Sequence, residues 1–218
     1  MHSVMPVSKD VKGAKGPSTV ADDVKPREKT GSYHHGDLAP ALRAAAREIL
    51  EQEGLEALSL RSVARKAGVS HAAPYRHFAS REALLAEIAL EGLQQLRAEI
   101  AKAGAAPGLP TERIVHMGAA YAGFAARHGG LLRLMFGSQI PNRYDFPGLE
   151  AATSAIHEEI GRALGDQVMG LAVWGTVHGI AILCLENVLD LGQRQSGLDV
   201  LPSRAEILLR SLFSQPLE

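Results

Sequence analysis

The 218-residue chain sets 23 Lys and Arg against 24 Asp and Glu, and its formal charge of −1 excludes a uniformly basic or acidic protein. Its one cysteine, Cys184, excludes an internal disulfide framework and any site built on several thiolates. With 46% apolar and 22% charged residues the composition is that of a folding chain, and 5% aromatics amid plentiful Ala and Leu favours helices over a β-sandwich.

Residues 1–32 have no hydrophobic period. Six cations (Lys9, Lys12, Lys15, Lys25, Arg27, Lys29) stand against four acids there, a net of +2, and the first 20 residues contain no apolar run of the secretory kind. The segment reads as a disordered polar tail, or as a basic arm that touches a DNA minor groove. Helical periodicity begins after Tyr33. Asp37 is placed to cap a helix whose Leu38, Leu42, Ala45 and Ile49 form one apolar stripe, with Pro40 in the first turn and Gly54 at the C-cap. Ser59 caps a short helix over Leu60–Ala67, which Gly68 stops. Ser70 caps a second over His71–Phe78, and Ser80 caps a long one from Arg81 to about Lys102. Two short helices joined by a tight turn predict a helix-turn-helix, with Ala64 small at the crossing and Val63, Val69, Tyr75 and Phe78 as a miniature core.

Breaks at Gly104–Pro110, Gly137–Gly148 and Gly192–Pro202 then divide helical stretches at about 112–128, 131–136, 149–164, 167–191 and 204–214. The last opens with the capping box Ser203-x-x-Glu206. From Val168 to Leu185 no residue is charged, a length at the lower edge of a membrane span. That stretch contains His178, Thr176, Gly170, Gly175 and Gly179, with no flanking Lys/Arg cluster. It reads as a buried helix of a soluble protein, with Gly175-x-x-x-Gly179 as a close helix crossing. The fold class is all-α: an N-terminal three-helix unit joined by a long helix to a C-terminal helical bundle. The expected divisions are a tail at 1–32, a helix-turn-helix domain at 33–82 and a second domain at 83–218.

The stretch most informative about chemistry is Ala57–Arg81, which holds Arg61, Arg65, Lys66, Arg76 and Arg81 and no acid. A solvated helix face ordinarily mixes charge signs, whereas an acid-free run suits polyphosphate. A helix opening with His71-Ala72-Ala73 offers a narrow end to a major groove about 12 Å wide. Ser70 and the free N–H groups beside it suit a phosphate, and Tyr75, Arg76 and His77 follow with donors for the backbone on either side.

These residues resemble the TetR-type bacterial transcriptional regulators. The match runs through Leu60-Arg61-Ser62-Val63-Ala64-Arg65-Lys66-Ala67-Gly68-Val69-Ser70, then Tyr75-Arg76-His77-Phe78 and Ser80-Arg81-Glu82-Ala83-Leu84-Leu85, within roughly residues 34–90. The resemblance implies that Arg61 and His71–Ala73 face bases while Ser59, Tyr75, His77 and Arg81 hold phosphates. Pro74 departs from the family, which often has an aliphatic residue there. It forfeits the first backbone hydrogen bond of the second helix. Ala72 and Ala73 offer only methyl groups, so readout rests on Arg61, His71 and DNA shape. Farther on, Arg133-Leu134-Met135-Phe136 and Trp174-Gly175-Thr176-Val177-His178-Gly179 resemble a subgroup whose C-terminal domain carries a Trp-His-Gly motif.

Met117, Tyr121, Phe124, Leu132, Met135, Phe136, Trp174 and His178 are candidates to line an effector cavity, with plain core as the other reading. His34-His35 and the set His116, His128, His157, His178 and Cys184 have no spacing that selects a metal. No nucleophile–base pair or phosphate-binding glycine loop emerges, so neither catalysis nor a cofactor is expected. The expected function is a cytoplasmic repressor released by a small-molecule effector, binding operator DNA as a homodimer through helices 167–191 and 204–214, with no membrane partner. A DNA-binding adaptor without an effector and an all-α carrier or enzyme are the alternatives.

Overall fold

The computed structural model describes residues 38–189 and 199–213. The 1–32 tail, the Asp37 cap and the His34-His35 pair lie outside the described residues. Eight α-helices, and no strand, are present among those described. α1 (Leu38–Gln52) buries Leu42, Ala45, Ala46, Ile49 and Leu50, so the expected stripe is its core face. α2 (Leu60–Lys66) starts at a reciprocal cap. Ser59 Oγ accepts from the Ser62 N–H at 3.0 Å while Ser62 Oγ accepts from the Ser59 N–H at 2.8 Å. Gly68 leaves the helix with φ +69°, the left-handed backbone that glycine adopts without a Cβ clash.

The second helix of the expected pair is the main local correction. Residues 71–78 form no α-helix; a single 3₁₀ turn at Pro74–Arg76 takes its place. Proline has no N–H to return to Ser70, so the chain closes i→i+3 bonds from Ala73 to Ser70 and from Arg76 to Ala73. Tyr75, expected in the miniature core, is 57% exposed, and Pro74 and Phe78 are buried instead.

α3 (Arg81–Gly104), capped by Ser80 Oγ accepting from the Ala83 N–H at 3.2 Å, is about 36 Å long at about 1.5 Å per residue. The division expected at 82/83 falls in its first turn. Arg43 on α1 reaches Glu87 and Glu91 of α3, and Arg47 bonds Gln95 at 2.9 Å. α4 (Pro110–Arg127) packs against α3, α7 and α8; α5 (Gly129–Phe136) lies against α1 and α3; α6 (Pro147–Leu164) bridges α3 and α7. α7 (Gln167–Leu185) is capped by Asp166 and stops six residues earlier than expected, where Asn187 turns to φ +55°. α8 (Leu201–Phe213) has already started at Ser203, because the Arg204 N–H bonds the Val200 carbonyl; Ser203 is therefore a first-turn residue and not the cap.

α7 also departs from the buried helix expected of it. Gly170, Val173, Val177, Ala181, Cys184 and Leu185 are buried, whereas Val168 is 80%, Leu171 50% and Leu183 42% exposed. By length and composition alone it could cross a membrane, yet one of its faces is covered by α4 and α6. Within the single chain a close crossing is made by other glycines. A Cβ on Gly170 would stand 2.5 Å from Gly161 Cα and N, whereas Gly175 and Gly179 have nothing within 4 Å. α6 and α7 thus meet backbone to backbone at Gly161 and Gly170.

Candidate nucleic-acid interface and interior cluster

α2 buries Leu60, Val63 and Ala64, which turns Arg61 and Arg65, one helical turn apart, outward together. The 3₁₀ turn packs on α2, tied by the Val69 N–H to the Ala64 carbonyl at 3.0 Å, and carries the rest of the patch. Ser70, His71, Ala72, Tyr75, Arg76 and His77 are exposed and Ala73 is half-buried. The five cations of this stretch divide by geometry. Lys66 pairs with Glu48 of α1 at 2.6 Å, and that pairing holds the Glu48 carboxyl below its usual pKa. Arg81 donates through Nε to the Leu58 carbonyl at 2.8 Å and through Nη2 to the Leu55 carbonyl at 3.1 Å, so it clasps the loop before α2. Arg61, Arg65 and Arg76 form no ion pair among the described residues, which leaves three forked donors for an outside anion. Ser59 has its hydroxyl in the α2 cap.

The two ends of the molecule are joined through α5. Glu51, at the end of α1, accepts from the Gly130 and Leu131 N–H groups at 3.1 Å each and so caps α5 from a different helix. At the far end of α5, Arg133 pairs with Glu186 at 2.6 Å and also bonds the Leu185 carbonyl.

Phe136 closes α5 beside the interior cluster. Its ring centroid lies 4.7 Å from His178 and 5.8 Å from Trp174, and Trp174 stacks on His178 at 5.6 Å. The Tyr121 hydroxyl and His178 Nδ1 share a hydrogen bond of 2.6 Å, and burial disfavours both the imidazolium and the phenolate. Trp174 Nε1 is buried beside the Tyr121 hydroxyl, without a hydrogen bond of good geometry. Met117, Tyr121 and Trp174 line a cavity of about 10 Å³, room for one water. Of the other cavity candidates, Phe136 and His178 border this cluster, while Phe124, Leu132 and Met135 are fully buried. Sequence reasoning missed a larger space of about 280 Å³ on the far side of Phe136, lined in part by Arg143 and Glu150. Arg143 and Tyr144 reach it from the irregular connection between α5 and α6, which leaves no periodic signal. Among the described residues no group of three His, Cys, Asp or Glu is arranged to hold a metal.

Residues 42–88 match the bacterial regulatory proteins of the tetR family. No curated protein sequence matches the chain. A solved protein of unknown function from Rhodococcus sp. RHA1 is 32% identical, with 84% of this chain and 99% of that one covered at a TM-score of 0.64. A TetR/AcrR-family transcriptional regulator from Thermobifida fusca is 20% identical over 82% of this chain and all of its own, with a TM-score of 0.62. The TetR-family regulator PfmR of Thermus thermophilus is 22% identical over 78% and 97%, with a TM-score of 0.54.

Proposed function

We propose, on the premise that this chain is a DNA-binding transcription regulator with a tetR-family N-terminal domain, that it is a repressor released by a small-molecule effector. The observation that carries the reading is the outward-facing, acid-free set Arg61, Arg65 and Arg76 on that domain. Arg61, His71, Ala72 and Ala73 face base edges, while Ser59, Ser70, Tyr75, Arg76 and His77 contact the phosphates. Arg81 acts one step back, holding the loop that presents Ser59.

Two such heads are needed to read two half-sites about 34 Å apart, and the exposed apolar faces of α7 and α8 supply the pairing surface. Residues 83–218 then serve effector binding and dimerisation, residues 38–82 belong to the DNA-binding domain, and the chain works in the cytoplasm. The Trp174-to-Gly179 segment fits the Trp-His-Gly subgroup, and the stacking of Trp174 on His178 gives that motif a physical role. Effector binding at the cluster would push on Phe136, and α5 would pass the push to Glu51 and α1. An arrangement with the wrong head spacing weakens DNA binding by its differential affinity for effector. The cavity of about 10 Å³ favours the adaptor without an effector, while the outer pocket of about 280 Å³ supports the effector reading.

The test is retention of the full chain on random duplex DNA as salt rises. Affinity should fall with a slope of about −0.9 per neutralised phosphate, and Arg61→Ala or Arg76→Ala should weaken it. Passage of the wild type through duplex DNA unretained at low salt would end the reading.

A further inference from the structure

Three buried donors have no hydrogen bond of good geometry among the described residues, and one of them, Arg143 Nη1, belongs to a residue that lines the pocket beside Phe136. Buried donors are nearly always satisfied, so Arg143 calls for an acceptor. Arg143 opens the 3₁₀ turn Arg143–Asp145 between α5 and α6 and is one of the residues that line the pocket of about 280 Å³. Burial works against its charge, yet no protein acceptor reaches Nη1. Phe136 forms one wall of this pocket and also lies against Trp174 and His178. One ring therefore stands between Arg143 and the inner cavity at Tyr121 and Trp174.

We propose that this pocket admits a small organic carboxylate, its head held by the Arg143 guanidinium and its apolar body displacing Phe136 toward Trp174. A planar guanidinium matches a carboxylate in a two-pronged geometry. Glu150 lines the same pocket and offsets the Arg143 charge, which suits a monoanion and disfavours a phosphate carrying nearly two charges. The volume lies at the low end of ligand sites, near about 300 Å³, so the ligand is small unless Phe136 moves and joins the inner cavity. The proposal rests on the effector-sensing reading of the C-terminal half.

Trp174 is the only tryptophan, so its emission reports from this cluster without any knowledge of the operator. The full chain is titrated with octanoate and cyclohexanecarboxylate, and in parallel with octanamide, cyclohexanecarboxamide and octyl phosphate. The carboxylates should shift Trp174 emission saturably at millimolar concentration or below, with each amide at least about tenfold weaker. Arg143→Gln should erase that preference, Arg143→Lys should keep part of it, and Phe136→Ala should tighten binding of both carboxylates. Unchanged circular dichroism and melting would show that the variants fold. Equal binding of acid and amide, stronger binding of octyl phosphate, preference surviving in Arg143→Gln, or no saturable response to either acid would each overturn the proposal. Duplex retention by the same preparations separates the two failures. A chain that holds DNA but ignores carboxylates loses only this pocket, and one that does not hold DNA loses the regulator reading.

Discussion

His178 keeps a neutral ring because it is buried among rings, with a tyrosine hydroxyl as its hydrogen-bond partner. Burial lowers its pKa from 6.5, and burial also lowers that of His128 despite the opposing charge of Glu51. For a histidine whose folded pKa is depressed, the unfolded state takes up the proton first. Stability is thus complete above 6.5 and declines as pH falls below it. Melting temperature should therefore drop between about pH 6.5 and about pH 5, and His178→Gln should flatten part of that slope. The carboxyls of Glu48 and Glu82, lowered from 4.5, add their loss only at more acid pH. Melts that do not change across the histidine window would contradict this account. At this scale the caps at Ser59 and Ser80 are legible in the sequence, because a helix start is a local event that needs one hydroxyl and one N–H. Arg81 reads as a phosphate ligand in sequence because its charge is visible there while its acceptors, the Leu58 and Leu55 carbonyls, lie 23 and 26 residues earlier.

Among the elements, strong periodicity carries over to the fold and special geometry does not. The stripe of α1 and the lengths of α3 to α6 follow from apolar spacing between glycine and proline breaks. The second helix of the DNA head fails at one residue. The missing N–H of Pro74 is visible in sequence, but its consequence, a 3₁₀ turn in place of eight helical residues, depends on how Phe78 and Pro74 bury against α2. The small-residue spacing Gly175-x-x-x-Gly179 makes no crossing within the single chain, since spacing alone does not say which face meets a neighbour. A direct comparison separates the two. In Gly170→Ala the new Cβ meets the Gly161 backbone at 2.5 Å, where no side chain can swing aside, so unfolding free energy should fall by about 1–3 kcal/mol or more. Gly175→Ala meets nothing within 4 Å in the chain itself and should leave folding unharmed. Equal losses in urea titrations of the two variants would mean that the crossing is misplaced.

Across the whole molecule, charge is segregated: Ala57–Arg81 carries +5, and the remainder therefore sums to −6 to give −1 overall. The cationic end follows from sequence because an acid-free run survives any folding. The position of Arg143 does not, because an irregular connection between α5 and α6 shapes its pocket. The opposite feature, apolar and uncharged, is the face formed by Leu171 on α7 and by Ile207 and Leu212 on α8, each at least half exposed in the single chain. Leu171→Glu should convert the sedimenting species from two chains to one with circular dichroism unchanged, and weaken duplex binding at the same time. A mass unaffected by that charge would remove α7 from the interface.

On the proposed pairing of that face between copies, the gene product would not work as one polypeptide alone. A subunit with a crippled grip, such as an Arg61 and Arg76 double variant, would still pair with intact subunits through α7 and α8. In a cell carrying both alleles most intact subunits would then be spent in half-armed pairs, and the damaged copy would be genetically dominant.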